Sequence, residues 1–82
     1  MLPELDPAVR AASEEIGEKL KEARLKAGLS QKTLAERAGM TRTSYARIEK
    51  GQTNVTVDSL VRIADGLGLD LSVNFADKKA RR

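Results

Sequence analysis

A chain of 82 residues with 40% hydrophobic side chains has room for one domain and one modest core, burying about 60% of the surface its unfolded form exposes. It holds neither Cys nor His. That excludes thiolate and imidazole metal sites, disulfides and the commonest nucleophile–base pairs of catalysis, so no metal, no cofactor and no enzymatic activity are expected.

The net charge of +3 misleads, because residues 77–82, DKKARR, supply all of it; the rest of the chain is neutral, with eleven basic and eleven acidic side chains. A case for a polyanionic partner must therefore rest on local arrangement. No apolar run approaches the roughly 20 residues that span a bilayer, and the N-terminus lacks the basic start and apolar core of a signal peptide. The expectation is a cytoplasmic protein with no membrane partner.

Residues 1–12 carry two prolines and read as a flexible arm or a helix extension, since Asp6 and Pro7 suit an N-cap and a first helical turn. A stronger helical pattern begins near Ser13 and spaces Ile16, Leu20, Ala23 and Ala27 on one face until Gly28 stops it. Ser30 caps a second helix with Leu34, Ala35 and Ala38 inward, ending at Gly39. Thr41 caps a third over residues 42–50, which Gly51 ends. After the polar loop QTNVT, Thr56 caps a fourth, whose Val57, Leu60, Ile63, Ala64 and Leu67 keep the helical period to Gly66 and Gly68.

At that point the period changes to two. Leu69, Leu71, Val73 and Phe75 alternate with Asp70, Ser72 and Asn74, the pattern of a half-buried strand. A lone strand has nothing to ladder with, so residues 69–76 are expected to pair with a second copy or with another protein. Residues 77–82 form a basic, flexible tail, in which the Lys and Arg pairs serve mainly solubility.

Projected at about 100° per residue, the helix over 42–50 separates into two faces. Arg42, Ala46, Lys50, Thr43 and Arg47 share one side, and Ser44, Ile48 and Tyr45 the other. A cationic stripe on a short helix is usually a solvated face. A helix lodged in the major groove needs the same division, donors outward and an apolar back on the domain. Tyr45 falls inward and reads as packing, not stacking on bases; Leu34, Ile48, Leu60 and Ile63 read as core.

The spacing of Gln31, Ala35, Gly39, Tyr45 and Ile48 resembles that of the lambda-repressor and Cro-like helix-turn-helix domains, the Xre family, over residues 16–67. Ala35 and Gly39 provide the small residues that two sharply crossing helices need. The resemblance implies an all-α, four-helix domain over residues 13–68 and a bacterial or phage regulator associated with the nucleoid that binds double-stranded DNA. Arg42, Thr43 and Arg47 would read bases. Gln31, Lys32, Thr41, Ser44, Gln52, Thr53 and Asn54 would meet phosphates, with Gln31 also buttressing the reading helix. Arg24 and Glu49 match positions that pair in this family, so a salt bridge is expected there.

Many members continue with a fifth helix, from which residues 69–75 depart. That segment resembles the short terminal strand of HipB-like antitoxins, and implies a homodimer held by Leu69, Leu71, Val73 and Phe75 in an antiparallel ribbon lying on helix four. Such a dimer would repress palindromic operators. The alternatives are an antitoxin that also holds a toxin protein and a restriction-modification controller.

Overall fold

The computed structural model describes residues 6–78. The first five residues of the expected N-terminal arm, and Lys79 to Arg82 of the basic tail, lie outside them. Four helices account for the regular structure: α1 (Pro7–Lys26), α2 (Gln31–Arg37), α3 (Arg42–Glu49) and α4 (Val57–Leu67). Each starts on a side-chain cap. Ser30, Thr41 and Thr56 each accept a hydrogen bond from the amide three residues on, which satisfies an N–H that the helix itself leaves without a partner.

α1 begins at Pro7, six residues ahead of the start that apolar spacing suggests, because the Asp6 carboxylate accepts from the Ala8 amide at 2.8 Å and proline is tolerated in the first turn.

Leu34, Ala35, Ala38, Tyr45, Ile48 and Ile63 form the core, which α2, α3 and α4 share; Leu20, Leu29, Met40, Val55 and Leu67 pack around it. Two arginines lock α2 to α4 by reciprocal capping. Arg37 donates to the Gly66 carbonyl near the end of α4, and Arg62 donates to the Ala38 carbonyl at the end of α2. Between α2 and α3 the chain reverses through Gly39 at φ +70°, a backbone region that side chains with a Cβ rarely occupy.

The most buried residues of α1 lie beside its apolar stripe and not on it. They are Ser13, Gly17 and Arg24, whereas Ile16, Leu20 and Ala23 are half-buried and Ala27 is exposed. Gly17 is where the backbones of α1 and α3 meet: a Cβ there would lie 2.6 Å from the Ile48 carbonyl oxygen.

Residues 69–78 form neither helix nor strand. The expected strand is therefore absent from the single chain, and the physical reason is simple: a ladder needs a second strand, and among the described residues there is none. Leu69, Leu71, Val73 and Phe75 all remain exposed, Phe75 at 97%.

Candidate nucleic-acid interface

The two faces of α3 separate in space as they do in projection, except that Ser44, projected beside Tyr45 and Ile48, is exposed, and Ala46, projected among the cationic residues, is half-buried. Tyr45 and Ile48 are buried on α2 and the core, while Arg42, Thr43, Ser44, Arg47 and the C-cap Lys50 are exposed.

The ion pairs among the described residues are Arg24–Glu49 and Arg62–Asp58. Arg42, Arg47, Lys50 and Lys32 take part in neither, so their donors are available to a polyanion. Gln52 and Asn54 are exposed and Thr53 is half-buried, in the loop after α3. Thr41 already spends its hydroxyl on the α3 cap: its oxygen accepts from the Ser44 amide at 3.1 Å, and it donates to Ser44 Oγ at 3.0 Å.

Beneath this surface lies a buried polar cluster centred on the Glu49 carboxylate. Arg24 Nε donates to Oε2 at 2.6 Å and Arg24 Nη2 to Oε1 at 3.2 Å, a two-pronged grip. Gln31 Nε2 donates to Oε1 at 3.0 Å and the Tyr45 hydroxyl to Oε2 at 2.5 Å. The remaining Arg24 nitrogen reaches the Leu29 carbonyl at 2.9 Å.

One carboxylate thus ties α1, the α1–α2 loop, the first residue of α2 and the body of α3 together. Its side chain is 5% exposed and that of Arg24 10%. Burial pushes the Glu49 carboxyl up, but the hydrogen bonds from Arg24, Tyr45 and Gln31 outweigh it and hold the group below its ordinary value. Burial, then the Glu49 contact, pushes the Tyr45 hydroxyl well above 10, so it stays a donor at neutral pH.

The structure brings Arg24 and Glu49 together, as expected from the family likeness, and the Gln31–Glu49 bond holds the start of α2 to α3, the buttress expected of Gln31. One amide hydrogen of Gln31 is committed to Glu49, which leaves the other for a phosphate. The Tyr45–Glu49 bond is an addition to the expected set, although the two are four apart on one helix, a spacing that puts side chains in reach. Gly17 is another, and its signal is a glycine in the middle of a strong helical pattern, which costs about 1 kcal/mol unless packing needs it.

Residues 20–74 match the family model described as helix-turn-helix. The chain belongs to that family. As a helix-turn-helix protein it is 44% identical over 62 residues to the control protein C.MunI from a Mycoplasma species, covering 74% of this chain and 84% of that one. Among solved structures it is similar to the restriction-modification controller protein C.AhdI from Aeromonas hydrophila: TM-score 0.73, 34% identity, 74% of this chain and 88% of that one. A mutant of the restriction-modification controller protein C.Esp1396I superposes with TM-score 0.68 at 31% identity, over 71% of this chain and 75% of that one.

This chain is a DNA-binding transcriptional regulator of the helix-turn-helix type. No helix among the described residues is long and apolar enough to cross a membrane.

Proposed function

We propose that this regulator reads double-stranded DNA with α3 in the major groove and controls the genes of a restriction-modification system. The observation that carries the reading is the exposed, unpaired cationic face of α3, held at a set angle by the buried cluster around Glu49.

Arg42, Thr43 and Arg47 approach base edges, where arginine donates two bonds to guanine and threonine offers a methyl to thymine. Lys32, Ser44, Gln52, Thr53, Asn54, the second amide hydrogen of Gln31 and the backbone amide of Thr41, whose hydroxyl is spent on the cap, meet the sugar-phosphate backbone and set register. Likeness to control proteins favours the controller role over an antitoxin role.

The functional unit is a homodimer in which residues 69–76 of two copies pair as antiparallel strands. Four apolar side chains at alternate positions, all exposed in one chain, support it. A two-fold dimer sets two α3 helices about 34 Å apart, one turn of DNA, and favours palindromic operators, at which it acts as a repressor.

Selection of bound sequences from a random duplex pool tests specificity, symmetry and half-site spacing at once; recovery of no shared motif would defeat the reading. In the same assay format, Arg42→Ala and Arg47→Ala should each cost about 1–3 kcal/mol of operator affinity and relax base preference at one position. Lys32→Ala should weaken operator and random duplex alike and make the salt dependence shallower. Uniform loss across sequences for Arg47→Ala would move that residue from base reading to phosphate binding.

A further inference from the structure

Between the C-terminal half of α1 and the end of α4 runs an open groove of about 510 Å³, with Ala23, Ala27, Leu67 and Leu69 as its apolar lining and Lys19, Glu22 and Lys26 as its charged residues. On α1 it takes in Ala23 and Ala27, the C-terminal end of the apolar stripe.

We infer that the groove of each copy is filled by Phe75 of a second copy, and that the ribbon joining them is centred on Ser72. The inference rests on the dimer proposed above and adds its register and its seat.

Opposed residues of an antiparallel pair point to the same face, so only registers that keep the apolar set together are allowed. Centring on Ser72 pairs all of residues 69–75. Leu69 then faces the partner's Phe75, Leu71 faces the partner's Val73, and on the outer face Asp70 faces the partner's Asn74. Centring on Asp70 instead sets two like charges opposite each other; centring on Leu71 leaves Phe75 without an opposite residue.

With Leu69 already in the groove wall, the Ser72 register delivers the partner's Phe75 to that wall. Two residues on, and on the same face of a strand, Asp77 arrives at a rim made by Lys19, Glu22 and Lys26, whose net charge is positive and so complementary. The chain's own Phe75 does not fill the groove: it is 97% exposed.

The absence of cysteine makes site-directed cross-linking clean. Tagged Lys26→Cys and untagged Ala76→Cys full-length chains are mixed at micromolar concentration and treated with a short bis-maleimide, with Lys32→Cys replacing Lys26→Cys as the control. A tagged–untagged adduct for Lys26→Cys and none for Lys32→Cys is expected. Phe75→Ser should weaken dimerisation by about a hundredfold or more, since two phenylalanines leave apolar seats per dimer.

A dimer by sedimentation without the adduct overturns the groove assignment and leaves the dimer standing. A monomer under the same conditions overturns both. An adduct found only within single chains of the Lys26→Cys/Ala76→Cys double variant assigns the groove to the chain's own tail and overturns the exchange.

Discussion

Glu49→Gln should unfold this domain more easily by about 3 kcal/mol, because breaking a buried ion pair from one side leaves the other charge without compensation. The glutamine keeps the shape but only one accepting oxygen, so it can accept from Tyr45 or from Gln31 but not from both, and the change removes the charge together with one acceptor. Arg24, with a side chain only 10% exposed, is left without its counter-ion.

The same variant should change how stability depends on pH. Glu49 has a lowered carboxyl value in the folded chain, so its ionised form favours folding. That contribution is complete above the ordinary glutamate value of 4.5 and is lost as pH falls through the lowered one. The difference in unfolding free energy between wild type and Glu49→Gln should therefore be flat from neutral pH down to about 4.5 and shrink below it. Urea unfolding at several pH values measures both effects. A difference under about 1 kcal/mol at pH 7 would mean that Arg24 is compensated by water, as exposed pairs are.

Double-mutant cycles with Arg24→Met would then separate the pair from its neighbours, since two losses within one network are not additive. Because the cluster holds α3 to α1 and α2, Glu49→Gln should also lower operator affinity in excess of its effect on stability, without altering which bases are preferred.

Much of this architecture can be read from local chemistry. Ser30, Thr41 and Thr56 announce helix starts because a hydroxyl one residue before the helix satisfies a free amide, and each does so here. The two faces of α3 follow from a 3.6-residue period and from the contrast between Arg42 or Arg47 and Tyr45 or Ile48.

What local chemistry does not reveal has physical reasons. Apolar spacing places the start of α1 at Ser13 since residues 7–12 bury almost nothing, and only the Asp6 cap reveals the true beginning. Periodicity finds one edge of the packed face of α1, where Leu20 lies on the core, but misses its centre: the most buried residues are Ser13, Gly17 and Arg24, small side chains and a charge invisible to any hydrophobic count. Arg24 and Glu49 lie 25 residues apart, and family likeness, not spacing, joins them. At residues 69–75 the two-residue period groups four apolar side chains, but a ladder depends on a second chain and cannot form within one.

Gly17→Ala should destabilise the domain, although it adds only a single methyl group. On an exposed helix it would stabilise, as alanine is the better helix former by about 1 kcal/mol. Here the added carbon would sit 2.6 Å from the Ile48 carbonyl oxygen and 2.7 Å from the Glu49 carbonyl carbon. Both are backbone atoms at the end of α3, so no rotamer change relieves the overlap. One turn earlier, Glu14 of α1 is tight against Gly51, where a Cβ would lie 2.7 Å from the Glu14 Cα; α1 therefore cannot pivot toward that side.

Relief requires α1 to lift from α3, which lengthens the Arg24–Glu49 contact. With backbone atoms on both sides the overpacking penalty falls at the upper end, about 3 kcal/mol, and less the gain of about 1 kcal/mol in helix propensity the expected net cost is about 2 kcal/mol. Thermal unfolding reads it directly. Unchanged or raised stability in Gly17→Ala would show that the two helices are further apart in solution than this contact allows. A matching fall in operator affinity, restored by no compensating change on the DNA face, would show that α1 sets the angle at which α3 meets DNA.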